Sequence, residues 1–147
     1  MNIPALTLWQ PYASLPFVGF KPWETRTRPF PKAYAGQRIA IHAAAAFAPR
    51  GTVSDRLNYL CLRAFGEGYQ QALPRGKVLG TIRLVECHRA EDVRSALNVD
   101  EIAAGDFGDG RWAWRWVEPK LFDRPIPCKG WQGWGRFDAD QHVADLV

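Results

Sequence analysis

Apolar and polar residues alternate along several stretches of this chain, and each such stretch predicts a strand. "IPALTL" (3–8) is the first of them. "WETRTR" (23–28) alternates again and carries two β-branched threonines, so it is expected to be extended. "QRIAIHA" (37–43) is a clearer strand, entered by a turn at Gly36. "GKVLGTIRLVEC" (76–87) is the longest candidate, and Gly80 inside it predicts a bulge or a tight barrel bend. "RWAWRWV" (111–117) alternates once more, and the Pro/Gly-rich "RPIPCKGWQGWGRF" leads into a strand-like closure around Trp134.

Helical spacing is clearest in "SDRLNYLCLRAF" (54–65), where Leu57, Leu60, Cys61, Ala64 and Phe65 recur on one side and Ser54 supplies an N-cap. "QPYASLPFVG" (10–19) reads as a short helix with Pro11 in its first turn and Gly19 past its end. Pro16 limits it to a turn or two. "AEDVRSAL" and "VDEIAAG" predict short helices between 90 and 105, and "DADQHVADL" predicts a helical tail. Strands broken by short helices and Gly/Pro turns indicate an α+β chain built around a small mixed barrel. There is no internal repeat, no low-complexity tract and no linker. Neither GxGxxG nor a Walker A loop occurs, which removes support from the nucleotide folds.

A length of 147 residues suits one domain spanning 1–147, with 137–147 as a C-terminal tail. At 47% hydrophobic and 23% charged, the chain is expected to fold. No segment approaches the roughly 18 apolar residues of a membrane span, and the N-terminus has no basic stretch followed by an apolar run. Cys61, Cys87 and Cys128 lie far apart without a CxxC. That spacing suits a reducing compartment, so a cytoplasmic location without a membrane partner is expected.

Charge changes the picture more through its distribution than its total. The chain is +4 overall. Residues 1–50 hold Lys21, Arg26, Arg28, Lys32, Arg38 and Arg50 against Glu24 alone, a net of +5, and the remainder is −1. A basic first third points to an anionic partner, and nucleic acid is the commonest one.

Within that third, an extended 23–28 would place Glu24, Arg26 and Arg28 on one face and Trp23, Thr25 and Thr27 on the other. The ordinary reading is a solvated, self-neutralising strand face. The alternative is a partly buried network in which Glu24 orients Arg26, leaving guanidinium forks for phosphate or a base edge. Lys21 reaches the same place from the preceding turn. Trp9, Tyr12 and Trp23 lie beside these charges, and aromatics interleaved with cations suit a single strand or a flipped base. Trp112, Trp114 and Trp116 share a face that is better read as core. His42, His88 and His142 have no metal-ligand spacing, so the sequence indicates no metal site and no cofactor, and it leaves the use of a divalent metal open. His42 ends a strand near the basic region and could act as an acid or base or as a structural histidine. Ser14, Thr25, Thr27 and Tyr12 supply hydroxyls near Lys21, without a recognisable triad.

The stretch "ALTLWQPYASLPFVGFKPWETRTRPFPKAYAGQRIAIHAA" resembles the opening of an ASCH (activating signal cointegrator homology) domain. The carrying residues are Trp9-Gln10-Pro11, Ala13, Leu15, Gly19 to Arg26 in the pattern G-x-K-x-x-E-x-R, and Ile41-His42-Ala43. "LPRGKVLGTIRLVEC" is similar to the family's middle strand, and "RWAWRWVEPKLFDRPIPCKGWQGWGRF" to its late segment. The resemblance covers residues 3–137. It implies a PUA-like β-barrel with short helices around it and a basic cleft that binds RNA or, less often, DNA, with RNA or ssDNA the expected partner here. It places Lys21, Glu24 and Arg26 in that cleft. Ribonuclease activity is reported for some relatives. A shorter branch hydrolyses an acylated cytidine with a threonine three positions after the lysine, where this chain has Glu24.

Three functions follow as expectations. The first is nucleic-acid binding, with Lys21, Arg26 and Arg28 on phosphate, Trp9, Tyr12 or Trp23 stacking, and His42 nearby. The second is hydrolysis of RNA or a modified nucleoside, with Lys21 and Glu24 catalytic. The third is a non-catalytic ligand or protein-interaction domain. Oligomeric state is left open.

Overall fold

In the computed structural model, which describes residues 2–140, six strands form one mixed sheet. They are β1 (Asn2–Gln10), β2 (Trp23–Arg26), β3 (Arg38–Phe47), β4 (Lys77–Arg89), β5 (Trp112–Pro127) and β6 (Trp134–Asp138). Their order is β2-β5-β4-β3-β1-β6. Only β1 and β3 run parallel, and the long connection between them carries β2. All the other neighbours are antiparallel.

Alternation sorts the side chains as the sequence predicts. Leu6, Leu8, Ile39, Ile41, Leu79, Leu84, Trp114 and Trp116 are buried together on one face. Ala5, Ala40, Val78, Phe122 and Phe137 form a second cluster from intervening positions. The three alternating tryptophans therefore do belong to the core face, with Trp112 packed at its margin.

Gly80 marks a true irregularity. The β4–β5 register shifts between Val78 and Gly80. A Cβ at Gly80 would lie 2.2 Å from the Lys120 carbonyl oxygen, so no larger residue fits where the two backbones close in.

Helices cover one end of the sheet. α1 (Asp55–Phe65) starts at Ser54, whose hydroxyl accepts from Leu57 N–H at 3.1 Å. It buries Leu57 and Cys61 against Leu15, Tyr69 and Ala104. α2 (Tyr69–Ala72), α3 (Ala90–Val93) and α4 (Val99–Ala103) are single turns, the last opened by an Asn98–Glu101 capping box. The helix expected at 10–19 is reduced to a 3-10 turn over Leu15–Val18, ended by Gly19 at φ +87°. Pro16 explains the shortening, because its ring cannot continue an α-helix from a preceding turn.

The expected PUA-like barrel does not close. Among the described residues no ladder joins β2 to β6 at the two ends of the order. The sheet curls far enough for side chains of the end strands to meet the strand next to the opposite end instead. Trp114 of β5 and Trp134 of β6 stack with centroids 5.6 Å apart, and Arg26 of β2 donates to the Thr7 carbonyl of β1 at 3.3 Å. β2 is too short to do more, since it ends at Arg26 rather than 28. β6 takes in Phe137 and Asp138, the first residues of the tail expected over 137–147, and residues 141–147 lie outside the described residues.

Candidate functional site

The W-Q-P turn after β1 presents the first side of a cleft. Gln10 is fully buried and ties the turn down. Its amide donates to Ser14 Oγ at 2.8 Å and the Pro74 carbonyl at 2.7 Å, and its oxygen accepts from Ser14 N–H at 3.1 Å. Trp9 is left on the rim at 47% exposure, and Tyr12 faces inward.

Lys21 leads into β2 and forms the floor with Glu24. The Lys21 side chain is 1% exposed and that of Glu24 6%, with Nζ and Oε1 3.3 Å apart. Nζ also donates to the carbonyl of Ala104, the C-cap of α4, and lies 5.5 Å from the Tyr12 ring centroid. Carbonyls at a helix C-terminus lack intrahelical partners and suit a cation. Burial still wins, and it holds the Lys21 pKa below its ordinary value although Glu24 opposes the shift. Burial likewise pushes the Tyr12 phenol up.

Glu24 divides its carboxylate. Oε1 faces Lys21 and accepts from Thr25 N–H at 3.1 Å, while Oε2 accepts from Arg26 Nε at 2.9 Å. Arg26 keeps about a third of its side chain exposed and lies 5.9 Å from the Trp114 ring centroid. It is oriented, pre-charged and open to the cleft, as a ligand-reading guanidinium needs to be.

A second arginine joins it from the far end of the chain. Arg111 donates to the Thr25 carbonyl at 3.1 Å and to the Asp106 carbonyl at 3.0 Å. The Thr25 hydroxyl accepts from Asp106 N–H at 2.9 Å and so anchors the 104–108 turn. The cavity between these elements measures about 970 Å³. Trp131, Gln132 and Gly133 form its opposite wall. Gly135 permits this wall, since a Cβ there would lie 2.1 Å from the Trp131 ring.

The expected residues therefore separate. Lys21, Glu24, Arg26, Trp9 and Tyr12 line the cleft. Arg28 does not. It lies past the end of β2, exposed, and its carbonyl accepts from Trp114 Nε1 at 2.9 Å. Trp23 points to the opposite face, against Ala90, Phe107 and Ala113, with Arg115 5.7 Å from its ring centroid. Strand alternation, which put Trp23 opposite Glu24, made this foreseeable. His42 lies in an adjoining cavity and not in the cleft. Sequence reasoning missed Thr7, Arg111, Asp106, Trp131 and Gln132. Only the W-Q-G-W-G run signalled any of them. Among the described residues no group of His, Cys, Asp or Glu could hold a metal ion. No helix there is long and apolar enough to cross a membrane.

Three solved structures share this fold over nearly its whole length. The ASCH protein of Zymomonas mobilis superposes with a TM-score of 0.56 at 16% identity, covering 97% of this chain and 94% of that one. A tyrosine-to-phenylalanine variant of the same protein gives a TM-score of 0.56 at 16% identity over 97% and 96% of the two chains. A serine-to-alanine variant gives 0.57 at 16% identity over 96% and 94%. The chain has an ASCH domain fold. No family model and no curated protein sequence matches it. In this fold the G-x-K-x-x-E-x-R segment occupies the cleft floor, with Lys21 and Glu24 buried and Arg26 half-open.

Proposed function

We propose that the ASCH domain binds a single-stranded nucleic-acid segment, RNA foremost, and takes one base into the cleft. The observation that carries this reading is the fixed pair of cleft guanidiniums, Arg26 and Arg111, beside exposed Trp9. The guanidiniums suit phosphate or a base edge, and the Trp9 ring suits stacking. Lys21 acts from below, paired with the Glu24 carboxylate that in turn holds Arg26 in place. The ASCH fold and the basic first third of the chain support the same partner. Fluorescence anisotropy with labelled single-stranded RNA and DNA, with and without divalent metal, tests it. Affinity should fall steeply with salt. Undetectable or salt-insensitive binding to both would overturn the reading.

One observation favours a second reading, hydrolysis of RNA or of a modified nucleoside. Lys21 combines a lowered pKa with a buried carboxylate partner, the combination that equips an amine for proton transfer or oxyanion stabilisation. Turnover lost in folded Lys21→Ala and Glu24→Ala proteins would support it. Unchanged turnover in both would remove it.

A further inference from the structure

We infer that Thr7 and His42 form a nucleophile–base pair serving the cavity beside the cleft, where Thr7 accepts the acyl group of a small ester or amide. The parallel β1–β3 register sets Thr7 opposite His42. Thr7 Oγ1 lies 3.2 Å from His42 Nδ1, and His42 Nε2 lies 2.6 Å from the Cys128 carbonyl oxygen.

The carbonyl decides the tautomer. A carbonyl oxygen only accepts, so Nε2 carries the proton and Nδ1 presents its lone pair to Thr7. Thr7 Oγ1 in turn accepts from Trp131 N–H at 3.1 Å. With one lone pair engaged there, the hydroxyl proton is directed at Nδ1. This is a nucleophile, a base and a group that orients the base, linked in series. Burial holds His42 below its ordinary pKa, against the pull of the Cys128 carbonyl, so the ring is neutral at pH 7.

The cavity measures about 620 Å³ and is lined by Thr7, His42, Cys128, Lys129 and Gln132 among others. Thr7 also borders the main cleft, so a group in either space can reach it. Gln132 has no hydrogen-bond partner among the described residues, and its amide could donate to a developing oxyanion.

The step balances with water as the only other reactant. Thr7 Oγ bonds to the substrate carbonyl carbon while its proton passes to His42 Nδ1. The tetrahedral intermediate collapses, the bond to the leaving alcohol or amine breaks, and that group takes the proton from His42. Water then attacks the acyl-threonine ester. His42 accepts the water's proton and returns one to Thr7, releasing the carboxylic acid. None of Trp9, Arg26, Arg111, Lys21 and Glu24 takes part, so the outcome is independent of the nucleic-acid reading.

The probe is p-nitrophenyl acetate, with nitrophenolate release followed by absorbance and adducts mapped by peptide mass spectrometry. The full chain should become acetylated at Thr7 and turn over. Thr7→Ser should keep the adduct at position 7. Thr7→Val should lose it, and His42→Gln should acetylate about 100-fold more slowly or worse. Thermal unfolding checks that the variants fold. If either does not, the site of acetylation on the unmodified chain and on Thr7→Ser decides. Acetyl groups on lysines alone, no adduct at all, or Thr7→Val reacting at the original rate would show that the pair only pins the 128–131 segment, and would overturn the proposal.

Discussion

The Lys21 ammonium and the Glu24 carboxylate meet 3.3 Å apart where both side chains are almost closed to solvent. Neither charge has water to fall back on, so each depends on protein partners. Those partners are unequal. Lys21 has Glu24 and one helix-end carbonyl, whereas Glu24 also holds Arg26 and the Thr25 N–H.

Glu24→Gln is therefore expected to destabilise the fold by about 3 kcal/mol, the usual cost of leaving a buried charge without its counter-ion. Lys21→Met should cost less, because Glu24 keeps two donors. Urea unfolding of the two variants measures the difference. Equal losses would mean that Lys21 is not the dependent partner.

The arginines separate by position. Arg26→Ala and Arg111→Ala should each flatten the salt dependence of RNA binding by about one unit of slope. Arg28→Ala should leave it unchanged, since Arg28 is outside the cleft. Anisotropy titrations across a salt series read all three.

Two tryptophans divide in the same way. Trp9→Ala should weaken RNA binding by about 1–3 kcal/mol, the worth of one stacked base, with little change in stability. Trp23→Ala should do the reverse, because Trp23 packs with Ala90, Phe107 and Ala113. Parallel binding and thermal-unfolding curves check the exchange.

Gly135→Ala tests the cleft wall. The added Cβ would meet the Trp131 ring at 2.1 Å, so the ring must swing away. A change in tryptophan fluorescence together with weaker ligand binding is expected. An unchanged spectrum and affinity would mean that the wall does not depend on this contact.

His42 gives stability a pH dependence of known sign. Its folded pKa lies below 6.5, burial being the main cause. Between that lower value and 6.5 the unfolded chain binds more protons, so stability rises with pH in this window and is lost as pH falls through it. His42→Gln should lack this component. Unfolding midpoints from pH 7 down to pH 5 show whether the two curves converge as expected.

Much of the fold was legible in the pattern of residues. The β4 irregularity at Gly80, the Ser54 cap, the core face of Trp114 and Trp116, and the opposition of Trp23 to Glu24 all follow from local sterics and a period of two or 3.6. These are short-range rules, and a linear chain displays them directly. The cleft floor was legible for a related reason, since Lys21, Glu24 and Arg26 lie within six residues of each other. Tertiary structure alone decided the rest. Arg111 reaches β2 from 86 positions away, and Trp131 N–H meets Thr7 across 124. The curl of the sheet, which stops short of a closed barrel, sets which of these distant side chains arrive. Spacing along the chain carries no information about such meetings, because packing and not sequence separation determines them.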